Sequence, residues 1–263
     1  MEKIFNGRVA LVTGAATGIG KSIALLFAQK GAKVVISTRK NVADGEAVVD
    51  SIKAIGGEAS FIRCDVSKES EVEELIQKTV ELYGRLDYAA NNAGVGPDGK
   101  RIAVAHITEY TEELWDSIMD VNVKGALFCM KHEIRQMKKQ SFGAIVNISS
   151  VAAFSTNLGF AAYGASKAGL CRLSQIAAAE CATLGIRINC VLPGPTQDTL
   201  LLENLTASDP NMADVFSNML PMKRMGLPLE MAETVAWLCS EASSFITGHN
   251  VPVDGGMLMH VIG

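Results

Sequence analysis

The chain contains 263 residues, of which 48% are hydrophobic, and it carries a formal net charge of −4 at pH 7. This length suits one large domain with a substantial core, and no Pro/Ser-rich linker, charge block or internal repeat divides the sequence. The acidic balance argues against a nucleic-acid partner, because proteins that bind nucleic acids usually carry a basic footprint.

The N-terminal sequence lacks the basic-then-apolar order of a signal peptide over residues 1–7. The first apolar run, residues 9–12, is too short to span a bilayer. We therefore expect a cytoplasmic protein that has no membrane partner.

Short β-branched runs alternate with longer helical patterns along the whole chain. Strands are predicted at residues 8–13, 33–38, 58–64, 86–91, 143–150, 187–192 and 250–253. Helices are predicted at residues 19–30, 42–55, 69–83, 112–139, 163–184 and 229–240. Because such alternation implies right-handed crossovers, the sequence predicts one α/β domain over residues 1–263, with a Rossmann-type, doubly wound parallel sheet and helices on both faces. A ligand should bind at the carboxyl ends of the strands.

A glycine-rich turn with the sequence TGAATGIG follows the first predicted strand, at residues 13–20. Gly14 permits a tight turn, Gly18 lets the backbone approach a pyrophosphate, and Gly20 lets the helix pack closely on the strand. Free N–H groups at the start of the helix would then receive the phosphates. An ordinary turn between a strand and a helix would explain one of these glycines but not three.

The end of the second predicted strand indicates which dinucleotide would bind. An acidic residue at this point usually holds the ribose 2′-hydroxyl of NAD, but Thr38 stands there and Arg39 follows it. Arg39 can bind a 2′-phosphate through charge-assisted hydrogen bonds, and a surface Arg-Lys pair opening a loop would not explain the missing acid. Thr17 supplies no second phosphate-binding charge before Gly18. NADP(H) is therefore favoured, and use of NAD(H) stays open.

Tyr163 and Lys167 lie four residues apart, a spacing that places both side chains on one face of a helix. An ammonium beside a phenol favours the phenolate and lowers the tyrosine pKa from about 10, so that the hydroxyl can exchange a proton near neutral pH. Such pairs also occur on solvated helices. The pair gains weight from Ser150 and Asn122, which lie upstream.

Several motifs follow one another in chain order. They are TGAATGIG at residues 13–20, CDV at 64–66, NNAG at 91–94, VNVKG at 121–125, NISS at 147–150, YGASK at 163–167, PG at 193–194 and VDGG at 253–256. Together they resemble the classical short-chain dehydrogenase/reductase family over essentially the full length of the chain.

The resemblance implies that Asn122, Ser150, Tyr163 and Lys167 are the catalytic residues. Ser150 would hydrogen-bond the carbonyl oxygen of the substrate, and Tyr163 would give that oxygen its proton as hydride arrives from the nicotinamide C4. Lys167 would lower the pKa of Tyr163 and hold the nicotinamide ribose. The main-chain carbonyl of Asn122 would hold a water that leads to Lys167. Ser149 is then structural, because Ser150 has the family's spacing.

The resemblance also implies a cofactor-binding set. Asp65 would bond the adenine amino group with backbone contacts from Val66, although a helix N-cap is the alternative for Asp65. Residues 91–94 would close the fourth strand against the cofactor, mainly as structure and with some ribose contact. The complete set is Gly14, Thr17, Gly18, Ile19, Gly20, Thr38, Arg39, Asp65, Val66, Asn91, Ala93, Gly94, Tyr163, Lys167, Pro193, Gly194 and Thr196.

The segment after the sixth strand departs from the family pattern. Thr196 would contact the nicotinamide carboxamide through its backbone. Asp198 occupies the position where the family often has a threonine, and Thr199 comes one residue later, so the side chain that completes this contact stays open.

The resemblance divides the domain into a cofactor-binding core at residues 7–194, a substrate lid at 196–226 and a C-terminal helix and strand within 227–263. The lid is rich in leucine and methionine, which predicts an adaptable apolar cover, although packing of a lid helix would use the same residues. The expected partner is an uncharged, hydrophobic small-molecule ketone or secondary alcohol.

Two alternatives stay open. A 3-ketoacyl-carrier-protein reductase shares nearly every motif, but the basic residues with which it docks the acidic carrier would fall at Ser141 and Leu184. A catalytically silent NADP sensor or scaffold would typically lose the equivalents of Tyr163 or Lys167, and this chain keeps both.

The cysteines and histidines predict no metal site. The six cysteines form no CxxC pair and lie among apolar residues, so buried free thiols are expected. The four histidines lack metal-ligand spacing.

The family pairs the helices predicted at 112–139 and 163–184 across one two-fold axis and the final strand across another, so the resemblance implies a homotetramer.

Overall fold

The computed structural model describes residues 2–207 and 211–259. Within these residues the strands form one seven-stranded sheet, in which every neighbouring pair is parallel. The strands are β1 (Val9–Thr13), β2 (Lys33–Thr38), β3 (Glu58–Arg63), β4 (Tyr88–Asn91), β5 (Gly143–Ile148), β6 (Ile186–Pro193) and β7 (Asn250–Val253). Their order across the sheet is β3-β2-β1-β4-β5-β6-β7.

Helices connect these strands on both faces of the sheet. The α-helices are α1 (Gly18–Gln29), α2 (Val42–Ala54), α3 (Glu69–Tyr83), α4 (Glu112–Met119), α5 (Ala126–Gln140), α6 (Ala161–Cys181), α7 (Leu200–Thr206), α8 (Met212–Met219) and α9 (Pro228–Cys239). One π-helical segment, Asp120–Gly125, joins α4 to α5.

The sheet is apolar on both faces because each face supports a separate core. Ala10 and Val12 of β1 pack in one cluster with residues of α1 and α9. Leu11 points the other way, into a cluster with residues of α3 and α5. A strand covered on both sides needs consecutive apolar residues, which explains its continuous hydrophobic sequence. The predicted fold class is confirmed.

The prediction of one continuous helix at residues 112–139 is wrong, because the helix is interrupted. The structure divides it into α4, the π-helical segment and α5. Asn122 lies in the middle of the π-helical segment, and its side chain bonds a neighbouring loop. Side-chain hydrogen bonds of this kind compete with the regular helical ladder, which gives the interruption its physical reason.

Three further features concern the cysteines, the apolar character of the helices and the possible metal ligands. All six cysteines are free and buried, which confirms the prediction of buried thiols. Over residues 2–207 and 211–259, no helix combines the length and the apolar character needed to cross a membrane. The same residues contain no group of three or more His, Cys, Asp or Glu arranged to hold a metal ion.

Candidate active site

A cavity of about 950 Å³ opens at the carboxyl ends of the strands. It lies where the strand order reverses, because β1 pairs with β2 on one side and with β4 on the other. Where the strand order reverses, the loops after β1 and β4 leave in opposite directions and a crevice forms between them. Parallel α/β sheets bind ligands in this crevice. Most residues that line the cavity come from the loops after the first six strands, from α6 and from the lid.

The glycine turn forms one wall of this cavity. Gly14 and Gly18 have φ angles of 63° and 55°, in the left-handed region that favours glycine. A Cβ on Gly14 would lie 2.8 Å from the Cα of Ala93, so the turn also needs the absence of a side chain there. Thr17 and Ile19 line the cavity with these two glycines. Gly20 lies outside the lining, and a Cβ on it would overlap Asn92, which agrees with its predicted packing role.

The glycine turn is held by Asn92, which belongs to the NNAG motif but not to the predicted cofactor-binding set. Its Nδ2 donates to the carbonyl oxygens of Thr13 and Gly14, at 3.1 and 2.9 Å. Asn92 also lines the cavity, together with Ala93 and Gly94.

The structure does not bring Asn91 into the cavity. Its Nδ2 donates to Oε2 of Glu133 at 2.9 Å and to Oδ1 of Asn147 at 3.0 Å, in the buried interior. Asn91 is the last residue of β4, and adjacent residues of an extended chain point to opposite sides. The motif contains two consecutive asparagines, and this alternation assigns the cavity to the second of them.

The far end of the cavity is polar and carries the predicted cofactor residues Thr38, Arg39, Asp65 and Val66. Nη1 of Arg39 donates to Oδ2 of Asp65 at 3.3 Å. Asp65 is not a helix N-cap, because α3 begins at Glu69 and Lys68 occupies the cap position. Burial opposes ionisation of Asp65, but hydrogen bonds from Ser67 and the charge of Arg39 bring its pKa below the ordinary value.

This end also fits the polar part of a dinucleotide. Ser37 lines the cavity, and its buried hydroxyl has no hydrogen-bond partner in the described part of the chain. A buried hydroxyl without a partner is costly, so a polar ligand group beside it would be stabilising. The size of the cavity and the glycine turn fit the same ligand.

Ser150, Tyr163 and Lys167 line the cavity together, at the end of β5 and on α6. Lys167 Nζ donates to the carbonyl oxygen of Ile148 at 2.8 Å and lies 5.7 Å from the ring centroid of Tyr163. Oγ of Ser150 accepts from the backbone N–H of Ala152 at 3.1 Å. The structure therefore places the phenol and the ammonium side by side, as the spacing of four residues predicts.

The pKa of Tyr163 shifts in the direction opposite to the sequence-based expectation. Burial raises it, whereas a hydrogen bond with Ser150 lowers it by less. The ammonium of Lys167 does not reverse this shift in the protein alone. Burial also lowers the pKa of Lys167 to about 8.

Asn122 lies outside the lining of the cavity, and its side chain forms hydrogen bonds to two other segments. Its Oδ1 accepts from the N–H of Val95 at 2.8 Å, and its Nδ2 donates to the carbonyl oxygen of Val95 at 2.8 Å. The same Nδ2 donates to Oγ of Ser166, one residue before Lys167. Asn122 thus joins the loop after β4 to the catalytic part of α6. Its role in holding a water stays a prediction.

The last residue of β6, Pro193, lines the cavity together with Gly194, Thr196 and Thr199 of the following segment. Oγ1 of Thr199 donates to the carbonyl oxygen of Thr196 at 2.9 Å, which orders this stretch. Asp198 is exposed and has a φ of 54°. Of these two residues, Thr199 lines the cavity and Asp198 does not, and the side chain that contacts the carboxamide stays a prediction.

The lid closes the other end of the cavity with apolar side chains from α7 and α8. Its contributors include Leu201, Leu205, Met212, Phe216 and Met219. This part of the cavity can accept a hydrophobic ligand.

The fold and the site define a class of protein: an α/β oxidoreductase that binds a dinucleotide at the switch point of its sheet. Comparison with known proteins gives the family. Residues 14–258 match the family model described as Enoyl-(Acyl carrier protein) reductase. The chain is 42% identical over 255 residues to an uncharacterized oxidoreductase of Thermotoga maritima, which covers 96% of this chain and 98% of that protein. It is 38% identical to the 3-oxoacyl-[acyl-carrier-protein] reductase FabG of Staphylococcus aureus, with 95% and 98% covered.

Solved structures agree with these relatives. The crystal structure of gox2181 superposes with a TM-score of 0.91 at 32% identity, over 98% of each chain. A short-chain type dehydrogenase/reductase from Mycobacterium marinum superposes with a TM-score of 0.87 at 31% identity, also over 98% of each chain. The chain belongs to the short-chain dehydrogenase/reductase family, whose members use NAD(H) or NADP(H).

Proposed function

We propose that this protein reversibly reduces a hydrophobic ketone to a secondary alcohol with NADP(H). The observation that supports the proposal most is the shared cavity. Ser150, Tyr163 and Lys167 face the same space as the glycine turn, and an apolar lid closes it. A carbonyl substrate beneath the lid would therefore meet two hydroxyl donors.

The two hydroxyls have different tasks in the proposed reaction. Ser150 donates a hydrogen bond to the carbonyl oxygen and stabilises the negative charge that develops there. Tyr163 transfers its proton to the same oxygen. Because burial raises the pKa of Tyr163, the phenol keeps its proton near neutral pH and can act as the acid that reduction requires. A bound nicotinamide dinucleotide supplies the hydride for reduction and accepts it for oxidation.

The preference for NADP(H) rests on the polar end of the cavity. Thr38 and Arg39 are at its wall, and the carboxylate that would repel a 2′-phosphate is absent from the end of β2. Arg39 and Lys40 offer two cations there. The ion pair with Asp65 orients Arg39, which would then bind the phosphate through charge-assisted hydrogen bonds. Lys167 would hold the nicotinamide ribose.

The relatives named 3-oxoacyl-[acyl-carrier-protein] reductase favour a second candidate, the reduction of a 3-ketoacyl group on a carrier protein. Ser141 and Leu184 lie just before β5 and β6, at the amino ends of these strands. The cavity opens at the carboxyl ends. Neither residue supplies the cation that the carrier would need.

One assay separates these candidates. Oxidation of NADPH and of NADH should be followed with aryl ketones, aliphatic ketones and an acetoacetyl group on a carrier protein. We expect reduction of free hydrophobic ketones, with a higher kcat/KM for NADPH than for NADH. A much higher kcat/KM for the carrier-linked group than for the free ketones would favour the carrier reductase. Tight NADPH binding with no turnover would favour a silent sensor.

A further inference from the structure

A cation at the substrate end of the cavity has no task in the proposed reaction. Arg101 lies in the loop between β4 and α4 and lines the cavity together with Ser150 and Tyr163. The same loop approaches the reacting groups closely. A Cβ on Gly96 would lie 3.0 Å from the ring of Tyr163 and 2.9 Å from Cδ1 of Leu201 in the lid.

The other charges around the cavity already have partners or tasks. Among the described lining residues the cations are Arg39, Lys40, Lys167 and Arg101, and the carboxylate is Asp65. Arg39 pairs with Asp65 at the polar end, where Lys40 also lies. Lys167 donates to the carbonyl oxygen of Ile148. Arg101 is the remaining cation of the lining, and its carboxylate partner, Asp98, lies outside the lining.

Arg101 is held in place by a buried carboxylate. The side chain of Asp98 has an exposed fraction of 0%, whereas that of Arg101 is 46% exposed. Asp98 accepts the backbone N–H groups of Lys100, Arg101 and Ile102, at 3.0, 2.7 and 3.2 Å. It also accepts from Nδ2 of Asn204 in α7 at 2.9 Å and from Nε of Arg101. Asp98 thus joins the loop to the lid.

This arrangement leaves the outer edge of the guanidinium available. Arg101 uses Nε toward Asp98, and within residues 2–207 and 211–259 its two terminal nitrogens have no hydrogen-bond partner. Asp98 balances the charge of Arg101, but it occupies only Nε of the guanidinium, so the terminal N–H groups can still donate to a second acceptor. A guanidinium fixed on one side and open on the other is preorganised for a carboxylate or a phosphate.

We propose that Arg101 binds an anionic group at the end of the substrate remote from the ketone. The proposal rests on the proposed function, which places the ketone at Ser150 and Tyr163. Leu201, Leu205 and Phe216 would cover the apolar chain between the two ends. The substrate is then amphipathic, and the sequence-based expectation of an uncharged substrate changes accordingly. The anion is the carboxylate of a free keto acid or the phosphate of a phosphopantetheine thioester.

The test compares matched substrates in the wild-type protein, Arg101→Gln and Lys100→Gln. One arm uses keto acids that carry a methyl ketone at the other end, with chains of about six to ten carbons, and the corresponding amides. The second arm uses the same 3-ketoacyl chain on pantetheine and on phosphopantetheine. Lys100→Gln is the matched control, because Lys100 is exposed in the same loop but does not line the cavity.

We expect the wild type to prefer one anionic series over its neutral partner by about tenfold or more in kcat/KM, as one charge-assisted hydrogen bond allows. The arm that shows the preference identifies the source of the anion. Arg101→Gln should remove it through KM with kcat nearly unchanged, and Lys100→Gln should retain it. Equal kcat/KM for charged and neutral partners in both arms, or equal losses for both in Arg101→Gln, would overturn the proposal.

Failure of the proposed function would give a different result, which is no turnover of any ketone with either cofactor. Calorimetric titration with the same keto acids, amides and thioesters then tests Arg101 without turnover. Tighter binding of an anionic series that Arg101→Gln abolishes supports the proposal. Equal binding of charged and neutral partners, or no binding of either, contradicts it.

Discussion

Proton transfer in the proposed site depends on one hydroxyl group, that of Tyr163. Tyr163→Phe removes the transferable proton and keeps the ring beside Lys167. We expect turnover to fall below a few per cent of the wild-type value, because general acid catalysis contributes about 10²–10⁴-fold. The dissociation constant of NADPH should change by less than about twofold, since no phosphate contact is lost. Steady-state kinetics and a fluorescence titration measure the two quantities.

Tyr83→Phe provides the control for this variant. Its hydroxyl bonds Oγ of Ser60 at 2.8 Å, away from the cavity, so activity should remain near the wild-type level. Activity of Tyr163→Phe well above a few per cent would remove Tyr163 from the proposed mechanism.

Selection between the two cofactors depends on Arg39. Arg39→Ala should raise the dissociation constant of NADPH by about tenfold or more and leave that of NADH nearly unchanged, because only NADPH carries the 2′-phosphate. Binding titrations with both cofactors measure this difference.

Lys33→Ala is a matched control, since Lys33 lies at the opposite end of β2 and pairs with Glu58. Its removal should affect neither cofactor. If Arg39→Ala weakened NADPH and NADH equally, Arg39 would not recognise the 2′-phosphate.

For single residues, the sequence predicts which residue types form the site more reliably than it predicts the environment of each side chain. The motif NNAG indicates a cofactor wall, but the direction of each asparagine follows from the phase of β4, which the motif does not contain. The pKa of Tyr163 likewise depends on an environment that the motif does not describe. A spacing of four residues predicts the neighbour Lys167, whereas the burial that raises the pKa arises from the whole site.

At the scale of elements, alternation and periodicity were sufficient for the sheet. Each predicted strand lies within two residues of a strand in the structure, because a buried strand needs consecutive apolar residues whatever its neighbours are. The π-helical segment could not be predicted in this way. It depends on the bonds between Asn122 and Val95, which are far apart in sequence. The positions of α7 and α8 also depend on packing around the cavity.

A buried acid on α5 gives a prediction for stability. Glu133 is fully buried, and burial raises its pKa to about 8, although an amide hydrogen bond from Asn91 lowers it. Oε1 of Glu133 and Oδ1 of Asn91 have no hydrogen-bond partners in the described part of the chain. A glutamine would supply an N–H donor in this region without carrying a charge. Glu133→Gln should therefore stabilise the fold at neutral and alkaline pH.

The sign follows from proton binding. Between the ordinary pKa of 4.5 and the folded value of about 8, the folded state holds the proton and the unfolded state does not. The contribution of Glu133 to the free energy of unfolding thus falls as pH rises through this window. The advantage of Glu133→Gln should grow between pH 5 and 8 by at least about 1.4 kcal/mol, the equivalent of one pKa unit.

Urea denaturation at several pH values measures this advantage. Glu73→Gln, which removes an exposed carboxylate from α3, is the control and should show no such growth. An advantage that is constant with pH would mean that Glu133 does not hold a proton in the folded state.

At the scale of the whole molecule, we propose that four copies assemble. Large apolar side chains remain exposed on the helices that the family uses for pairing, namely Trp115 on α4, Leu127 on α5 and Ile176 on α6. A second exposed group consists of Trp237 on α9 and Phe245 in the segment between α9 and β7, the edge strand of the sheet. Two separate apolar surfaces suit two two-fold interfaces, which generate a closed tetramer.

Light scattering at micromolar concentration tests the assembly. The proposal predicts a mass of about four times the monomer's 27.9 kDa. Ile176→Glu places a charge on the exposed side of α6 and should reduce the mass to that of a smaller species. A wild-type mass equal to that of the monomer would refute the assembly.

In the proposed reaction, hydride passes from a nicotinamide cofactor to a ketone carbon in this cavity while Tyr163 supplies the proton. NADPH that carries deuterium at the transferred position of C4 tests the claim directly, with mass spectrometry of the alcohol product. We expect one deuterium on the carbinol carbon with the wild-type protein and almost no labelled alcohol with Tyr163→Phe. Alcohol that forms without deuterium, or equal labelling by both proteins, would contradict it.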